Sequence, residues 1–375
     1  MTSPLQSSTS SPATPCEEKK TPIEKNPSTS SSGTSLTPVT SIPHSPVVPA
    51  LDLSARLGEV SIRVMREISQ DTERRMQGAA ADLKLLSEGV YYANDYCALL
   101  QKLGKGCETR YQWLRDKGHF FHGIAPKAYF AGVENISMLT GKTPTNYKLI
   151  KDPASKALAA LRQGLSFLDC GSVVHLSHYE AVKDALGEDK FDRLFGLASA
   201  SPFRTGDSFD NPITKLLKIS KGKIQKGEQC YIAGVVTAYQ NKHDNGEAAG
   251  YHVVACESVK GTQKFLGFGL PSSGATLGEI REILRQEFNK TPIKASEILR
   301  EDLAKKCDAY RKLDAETIEE FNACQFSSKQ FEKLGGGVIQ QRMGLNLHRI
   351  SQLASASIEE AAKLFDSWAG GILRA

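Results

Sequence analysis

One cysteine and one histidine in this sequence have the residue types and local settings that covalent acyl chemistry requires. Cys170 follows Phe167-Leu168-Asp169 and directly precedes a helix-like run from Gly171 to Leu186. About 80 residues later, His252 begins an apolar, strand-like run ending at Ala255. A thiol at a helix start and an imidazole at a strand start can form a nucleophile and its base. If the two side chains meet, the protein can attack an amide carbonyl.

The helix start matters because a free thiol, with a pKa of about 8.5, is only a few per cent thiolate at neutral pH. A helix N-terminus favours negative charge, and a nearby imidazolium favours it further, so the pKa of Cys170 is expected to fall to roughly 4–7. Asp169 is the expected N-cap. The alternative is that Cys170 is a small buried hydrophobe and that His252 is a strand histidine with its own partners.

The chain around these two residues divides by composition into four predicted regions. Residues 1–50 are rich in Ser, Thr and Pro and are predicted to be a disordered tail. Residues 51–150 are predicted to be a helical N-terminal region: apolar residues at four-residue steps, such as Val60, Val64, Ile68 and later Val90, indicate helices from Leu51 to about Leu103, and 104–150 is mixed in pattern. Residues 151–290 are predicted to be the catalytic core, and 291–375 a set of C-terminal helices.

The core is predicted to be α+β, with the nucleophile helix packed on an antiparallel sheet and flanked by the N- and C-terminal helices. Three apolar runs after the helix predict consecutive strands over Gln229–Val236, His252–Ser258 and Gln263–Gly269. A helix followed by such a set of strands is typical of the α+β class. Gly335-Gly336-Gly337 is expected to be a flexible connection between two C-terminal helices.

Four short segments resemble a known family. They are Ser155-Lys156-Ala157, Gly187-Glu188-Asp189-Lys190-Phe191, Gly227-Glu228-Gln229-Cys230-Tyr231 and Gly250-Tyr251-His252-Val253-Val254. Together with Phe167-x-x-Cys170, they are similar to the bacterial spore-coat type of transglutaminase, a protein-glutamine gamma-glutamyltransferase built on an NlpC/P60-like, papain-type core. The resemblance covers about a third of the chain.

The sequence departs from this family at two places. The family carries a catalytic glutamate at the head of the second strand, where this chain has His252, as ordinary NlpC/P60 cysteine peptidases do. The family's further histidine, on the third strand, falls at about Gly267. A Cys170–His252 dyad without the third polar residue at its usual place is therefore expected.

The resemblance implies a thiol-dependent acyltransferase. It would form a thioester on Cys170 from a protein glutamine and then an isopeptide bond to a lysine or another amine. The alternatives are an NlpC/P60-like cysteine hydrolase, acting as a protease or a glutamine deamidase, and a non-catalytic effector or binding protein that keeps the fold. Protein substrates are the expected partners, and no cofactor is required. The oligomeric state does not follow from the sequence.

Composition argues against several other classes. None of the eight cysteines forms a C-x-x-C pair, which disfavours a zinc module and a disulfide scaffold. His175 and His178 could share a helix face, but packed or surface histidines are the favoured interpretation. A formal net charge of +5, without a dense basic block, disfavours nucleic-acid binding.

No apolar run reaches the roughly 18 residues of a membrane span, and no secretory signal is recognisable. A cytoplasmic location is expected, with export by a signal-peptide-independent route as the alternative.

Overall fold

The computed structural model describes residues 50–368 except 105–122, 127, 138–140, 207–210, 237–238, 240–241, 244–247, 260 and 291–324. The predicted disordered tail, 1–50, therefore lies outside the described residues except for Ala50, which begins a helix. The helices are α1 (Ala50–Gly78), α2 (Ala93–Lys102), α3 (Ala154–Gln163), α4 (Cys170–Leu186), α5 (Glu188–Phe195), α6 (Leu277–Asn289), α7 (Ser328–Lys333), α8 (Leu347–Ser355) and α9 (Ile358–Ser367). The strands are β1 (Val90–Tyr91), β2 (Gly123–Ile124), β3 (Phe130–Ser137), β4 (Gly141–Leu149), β5 (Ser166–Leu168), β6 (Leu217–Ile219), β7 (Gln229–Ala233), β8 (Gly250–Val259), β9 (Thr262–Gly267), β10 (Ala275–Thr276) and β11 (Val338–Leu345).

The main sheet has six strands in the order β10-β9-β8-β7-β11-β6, and every neighbouring pair is antiparallel. The strands β7, β8 and β9 occupy the three segments that the sequence predicts as strands, to within two or three residues at their ends. Helix α4 packs against β8. The expected mixed helix-and-sheet class, with the cysteine-bearing helix ahead of an antiparallel sheet, is confirmed at this level.

Helix α4 begins and ends where the sequence indicates. The Asp169 carboxylate accepts a hydrogen bond of 2.6 Å from the Ser172 amide, which satisfies a donor that a helix start otherwise leaves open. At the other end Gly187 has φ of +81°, a conformation that favours glycine. Between these caps the helix is buried on most sides, with α1 and β8 among its neighbours. Its first residue, Cys170, is therefore fixed relative to the sheet.

The prediction of a helical region over the whole of 51–150 is wrong. Helix α1 accounts for the apolar stripe, but β3 and β4 pair as two antiparallel strands. Val90, which continues the apolar spacing in the sequence, lies in β1 and pairs with Ser166 of β5. Within the described residues, β3 and β4 pair with each other, apart from one bridge from Lys148 to Arg204, so backbone pairing rather than a helical period determines this part of the chain.

The prediction of helices throughout 291–375 also needs correction. Residues 291–324 lie outside the described part, but β11 pairs with β7 on one side and β6 on the other. Gly335-Gly336-Gly337 joins helix α7 to this strand rather than to another helix, and the Gly337 amide donates to the Ala233 carbonyl. The segment forms a strand because it pairs with β6 and β7. Both partners lie more than a hundred residues earlier in the chain, so no local sequence pattern predicts the pairing.

The described parts of the chain bury three hydrophobic clusters. The largest contains residues from both ends of this region and from the sheet, among them Leu57 of α1, Leu158 of α3, Val174 of α4, Leu266 of β9 and Phe365 of α9. All of these lie in one compact unit, Val47–Ala375. No helix among the described residues is long and apolar enough to cross a membrane.

Helix α1 approaches the turn before β7 so closely that only glycines fit. A Cβ on Gly58 would lie 2.8 Å from the Lys226 carbonyl oxygen, and one on Gly227 would lie 2.4 Å from the Gly58 Cα.

Gly58→Ala should therefore destabilise the fold by about 1–3 kcal/mol, although alanine is the better helix former. Gly278→Ala is the matched control. Its Cβ would meet nothing nearer than 3.9 Å, so it should be neutral or stabilise by up to about 1 kcal/mol. Urea unfolding of both variants measures the difference; equal midpoints would contradict the close approach.

Candidate active site

Cys170 is the first residue of α4 and is only partly buried, unlike two other cysteines in the described structure. Burial raises the pKa of the Cys230 thiol to about 12, and it also raises the pKa of Cys256. A thiol with a raised pKa is a poor nucleophile at neutral pH. Cys170 is therefore the thiol, among these three, whose position permits chemistry.

His252 lies against the start of the same helix. A Cβ on Gly171, the residue after Cys170, would lie 2.6 Å from His252 Nδ1 and 3.1 Å from Cε1. Such distances are shorter than real contacts, so the imidazole occupies the space that a side chain at position 171 would need. The helix start and the strand β8 thus bring the two sequence-predicted residues to the same place. What they do there stays a proposal.

Asp169 belongs to this group as well, which the sequence did not reveal. Its Oδ1 lies 3.4 Å from the same Gly171 Cβ position that is 2.6 Å from His252 Nδ1. The carboxylate that caps α4 is therefore close to the imidazole. Sequence analysis identified Asp169 only as a cap, because its nearness to His252 depends on how β8 docks on the helix.

Two tyrosines of the sheet complete the surroundings. Tyr231 pairs directly with His252 across β7 and β8, and the two ring centroids are 4.8 Å apart at an interplanar angle of 59°. The neighbouring Tyr251 is partly buried. Burial raises the pKa of its phenol, and negative charge on Cys170 and then Glu287 raises it further. Tyr251 therefore remains a protonated hydroxyl within electrostatic reach of Cys170. Neither tyrosine was identified as a site residue from the sequence.

The position at which the resemblance places a further histidine is occupied on β9 by Gly267. Gly267 pairs with Val253, and its Cβ position lies 2.9 Å from Val253 Cγ1, so it faces away from His252. The adjacent Phe268 lies on the His252 face and is buried, with its ring centroid 4.2 Å from that of Tyr92. Position 267 of β9 therefore offers His252 no polar side chain.

His175 and His178, which share α4 with Cys170, are packed core residues. His178 Nδ1 lies 3.3 Å from the Ser61 hydroxyl, and burial lowers its pKa to about 3. His175 Nδ1 lies 3.3 Å from the Gly206 carbonyl oxygen and from the Asn211 side-chain nitrogen. Across the described stretches of the chain, no three His, Cys, Asp or Glu side chains are grouped so that they could hold a metal ion.

Comparison with protein-family models gave no match, and comparison with curated proteins gave none either. Among solved structures, the chain is similar to a transglutaminase from Geobacillus stearothermophilus, without its C-terminal extension. The similarity covers 81% of this chain and 96% of that chain, with 12% sequence identity and a TM-score of 0.43.

Gly171→Ala should separate His252 from Cys170 while leaving the helix intact, because alanine is a good helix former but its methyl group would occupy the space of the imidazole. We expect iodoacetamide to alkylate Cys170 about tenfold more slowly at neutral pH, since the thiolate would lose the neighbouring imidazolium. Mass spectrometry of the Cys170 peptide measures the rate. Gly278→Ala, a glycine-to-alanine change in a remote helix, is the control. An unchanged rate in Gly171→Ala would contradict the contact.

Substitutions of Asp169 should separate its capping role from its charge. Asp169→Ala removes the cap and should cost about 1 kcal/mol of unfolding free energy, whereas Asp169→Asn should cost only a few tenths because asparagine caps equally well. Urea unfolding measures both. Equal losses in the two variants would show that the carboxylate charge, rather than the cap, stabilises this end of α4.

Proposed function

We propose that the protein is a thiol-dependent acyltransferase that acts on protein glutamine, with Cys170 as nucleophile and His252 as acid and base. The observation that carries the proposal is the position of the His252 imidazole against Gly171, beside a partly exposed thiol at a capped helix start. The resemblance of the surrounding segments to the spore-coat type of transglutaminase, on an NlpC/P60-like core, gives the reaction class.

The first half of the reaction forms a thioester. The Cys170 thiolate attacks the side-chain carboxamide carbon of a substrate glutamine, and the carbonyl oxygen becomes an oxyanion. His252 donates its proton to the departing nitrogen, the carbon–nitrogen bond breaks, and ammonia leaves. The first-turn amides of α4 are the groups from which stabilisation of the oxyanion is expected.

The second half of the reaction transfers the acyl group. A lysine amine attacks the thioester carbon, His252 accepts a proton from the attacking nitrogen, and the carbon–sulfur bond breaks. The products are an isopeptide bond and the regenerated thiolate. No step requires a metal or an organic cofactor. The reaction does require Cys170 to be reduced, which fits the expected cytoplasmic location. Export by a signal-peptide-independent route is the alternative.

A cysteine hydrolase is the second candidate, and the identity of residue 252 favours it. Histidine at the head of this strand is what the resemblance associates with NlpC/P60 peptidases, whereas the transglutaminases carry glutamate there. With the same two residues, water in place of the amine gives deamidation of glutamine, and a main-chain amide in place of the carboxamide gives proteolysis. The dyad does not choose among these outcomes; the surrounding pocket and its access to water do.

Incubation of the protein with a fluorescent primary amine and a glutamine-rich protein tests the proposal. We expect labelling that Cys170→Ala abolishes and that His252→Gln lowers by about 10²–10⁴-fold, the usual contribution of a general acid and base. Cys256→Ala is the matched control and should keep its labelling, because that thiol is buried in the sheet.

The other outcomes are equally informative. Ammonia release without labelling would contradict the transferase and indicate a deamidase. New N-termini would indicate a protease. The absence of all three signals, with the same partner protein captured by the parent chain and by Cys170→Ser, would indicate a binding protein that keeps the fold.

A further inference from the structure

Tyr231 is the side chain that meets His252 from the neighbouring strand. The two residues are direct partners in the β7–β8 register, so both side chains lie on the same face of the sheet. Their ring centroids are 4.8 Å apart, and the 59° angle between the planes is a tilted contact. The imidazole therefore has the start of α4 on one side and the phenol ring on another.

A glycine fixes the position of that phenol ring. A Cβ on Gly250 would lie 2.5 Å from Tyr231 Oη and 2.6 Å from its Cζ. The Tyr231 side chain thus leans across β8 at Gly250, two residues before His252 and on the same face. Any larger residue at position 250 would displace the ring. Gly250 has the same relation to Tyr231 that Gly171 has to His252.

The contact has an electrostatic consequence. A cation within about 6 Å of an aromatic ring centroid is attracted to the ring, by roughly 0.5–1 kcal/mol where the site is partly exposed. Among the described groups near His252, the titratable ones include Asp169 and Cys170 at the start of α4 and Tyr231 on β7, whereas β9 has Gly267 next to the register position of His252. On the sheet side, the phenol ring is therefore the group that can favour the charged imidazole.

We propose that Tyr231 is a positioning residue, whose ring holds the His252 imidazole against the start of α4 and favours its charged form. This inference rests on the proposed function for the role of the Cys170–His252 pair. It adds an aromatic group on the sheet side, where β9 has Gly267 at the position of the family's further histidine.

The pH profile of Cys170 alkylation by iodoacetate tests the proposal without any substrate. The acid limb of the profile reports formation of the thiolate beside the imidazolium. The alkaline limb reports loss of the imidazolium proton, because the anionic reagent then loses its attraction to the site. In Tyr231→Leu the alkaline limb should move to lower pH by about half a unit, the shift that corresponds to the lost attraction. The midpoint of the acid limb should not change, because the imidazole is charged both before and after the Cys170 thiolate forms.

Two further variants keep the test decisive. Tyr231→Phe keeps the ring and should leave both limbs in place. Gly250→Ala displaces the ring without removing it and should reproduce the Tyr231→Leu shift, which covers the case in which Tyr231→Leu does not fold. A two-limbed parent profile that neither Tyr231→Leu nor Gly250→Ala changes would overturn the role of Tyr231 alone. A parent profile with a single transition at the ordinary thiol value would overturn both this inference and the proposed dyad.

Discussion

The site depends on one close approach, that of strand β8 to the first turn of helix α4. The His252 imidazole lies where a side chain at position 171 would be, with Nδ1 2.6 Å from that Cβ position. Any residue larger than glycine at position 171 would displace the imidazole from the start of α4. The approach joins two rigid elements rather than two loops: α4 is capped and buried, and β8 pairs with strands on both sides. A short distance between such elements is maintained by the whole fold.

Glycines allow similarly close packing at other places around the site. Gly250 lets the Tyr231 ring cross β8, and Gly58 with Gly227 lets α1 pack against the turn that leads into β7. In each case backbone or ring atoms occupy the volume of a missing Cβ. The strand β7 is therefore held at its start by α1 and in its middle by the contact with β8, so Tyr231 meets His252 in a fixed register. Glycine here allows close packing rather than flexibility.

Local chemistry in the sequence was sufficient to predict some of this arrangement. Asp169 and Gly187 are cap residues with side-chain and backbone properties that work at short range, so the limits of α4 follow from the sequence. The apolar runs of β7, β8 and β9 are also local signals. By contrast, β11 is a strand because of pairing with β6 and β7, and the β3–β4 hairpin depends on its own cross-strand pairing. The nearness of Asp169 and Tyr231 to His252 depends on register and docking, which single-residue patterns do not contain.

Under the proposed function, the surroundings of His252 would have to replace the third polar residue that the resemblance associates with β9. An imidazole that must accept and return a proton has to keep one orientation and tolerate a positive charge. Position 267 of β9 is a glycine that pairs with Val253 and faces away from His252, so it meets neither need. Two other directions are occupied: the helix start with the Asp169 carboxylate lies on one side, and the Tyr231 ring on the other. In the proposed reaction, packing would orient the base, and two weak neighbours rather than one strong one would favour its charge. Because these neighbours act on the imidazole itself, the choice between amine and water would be left to the groups that cover the proposed thioester.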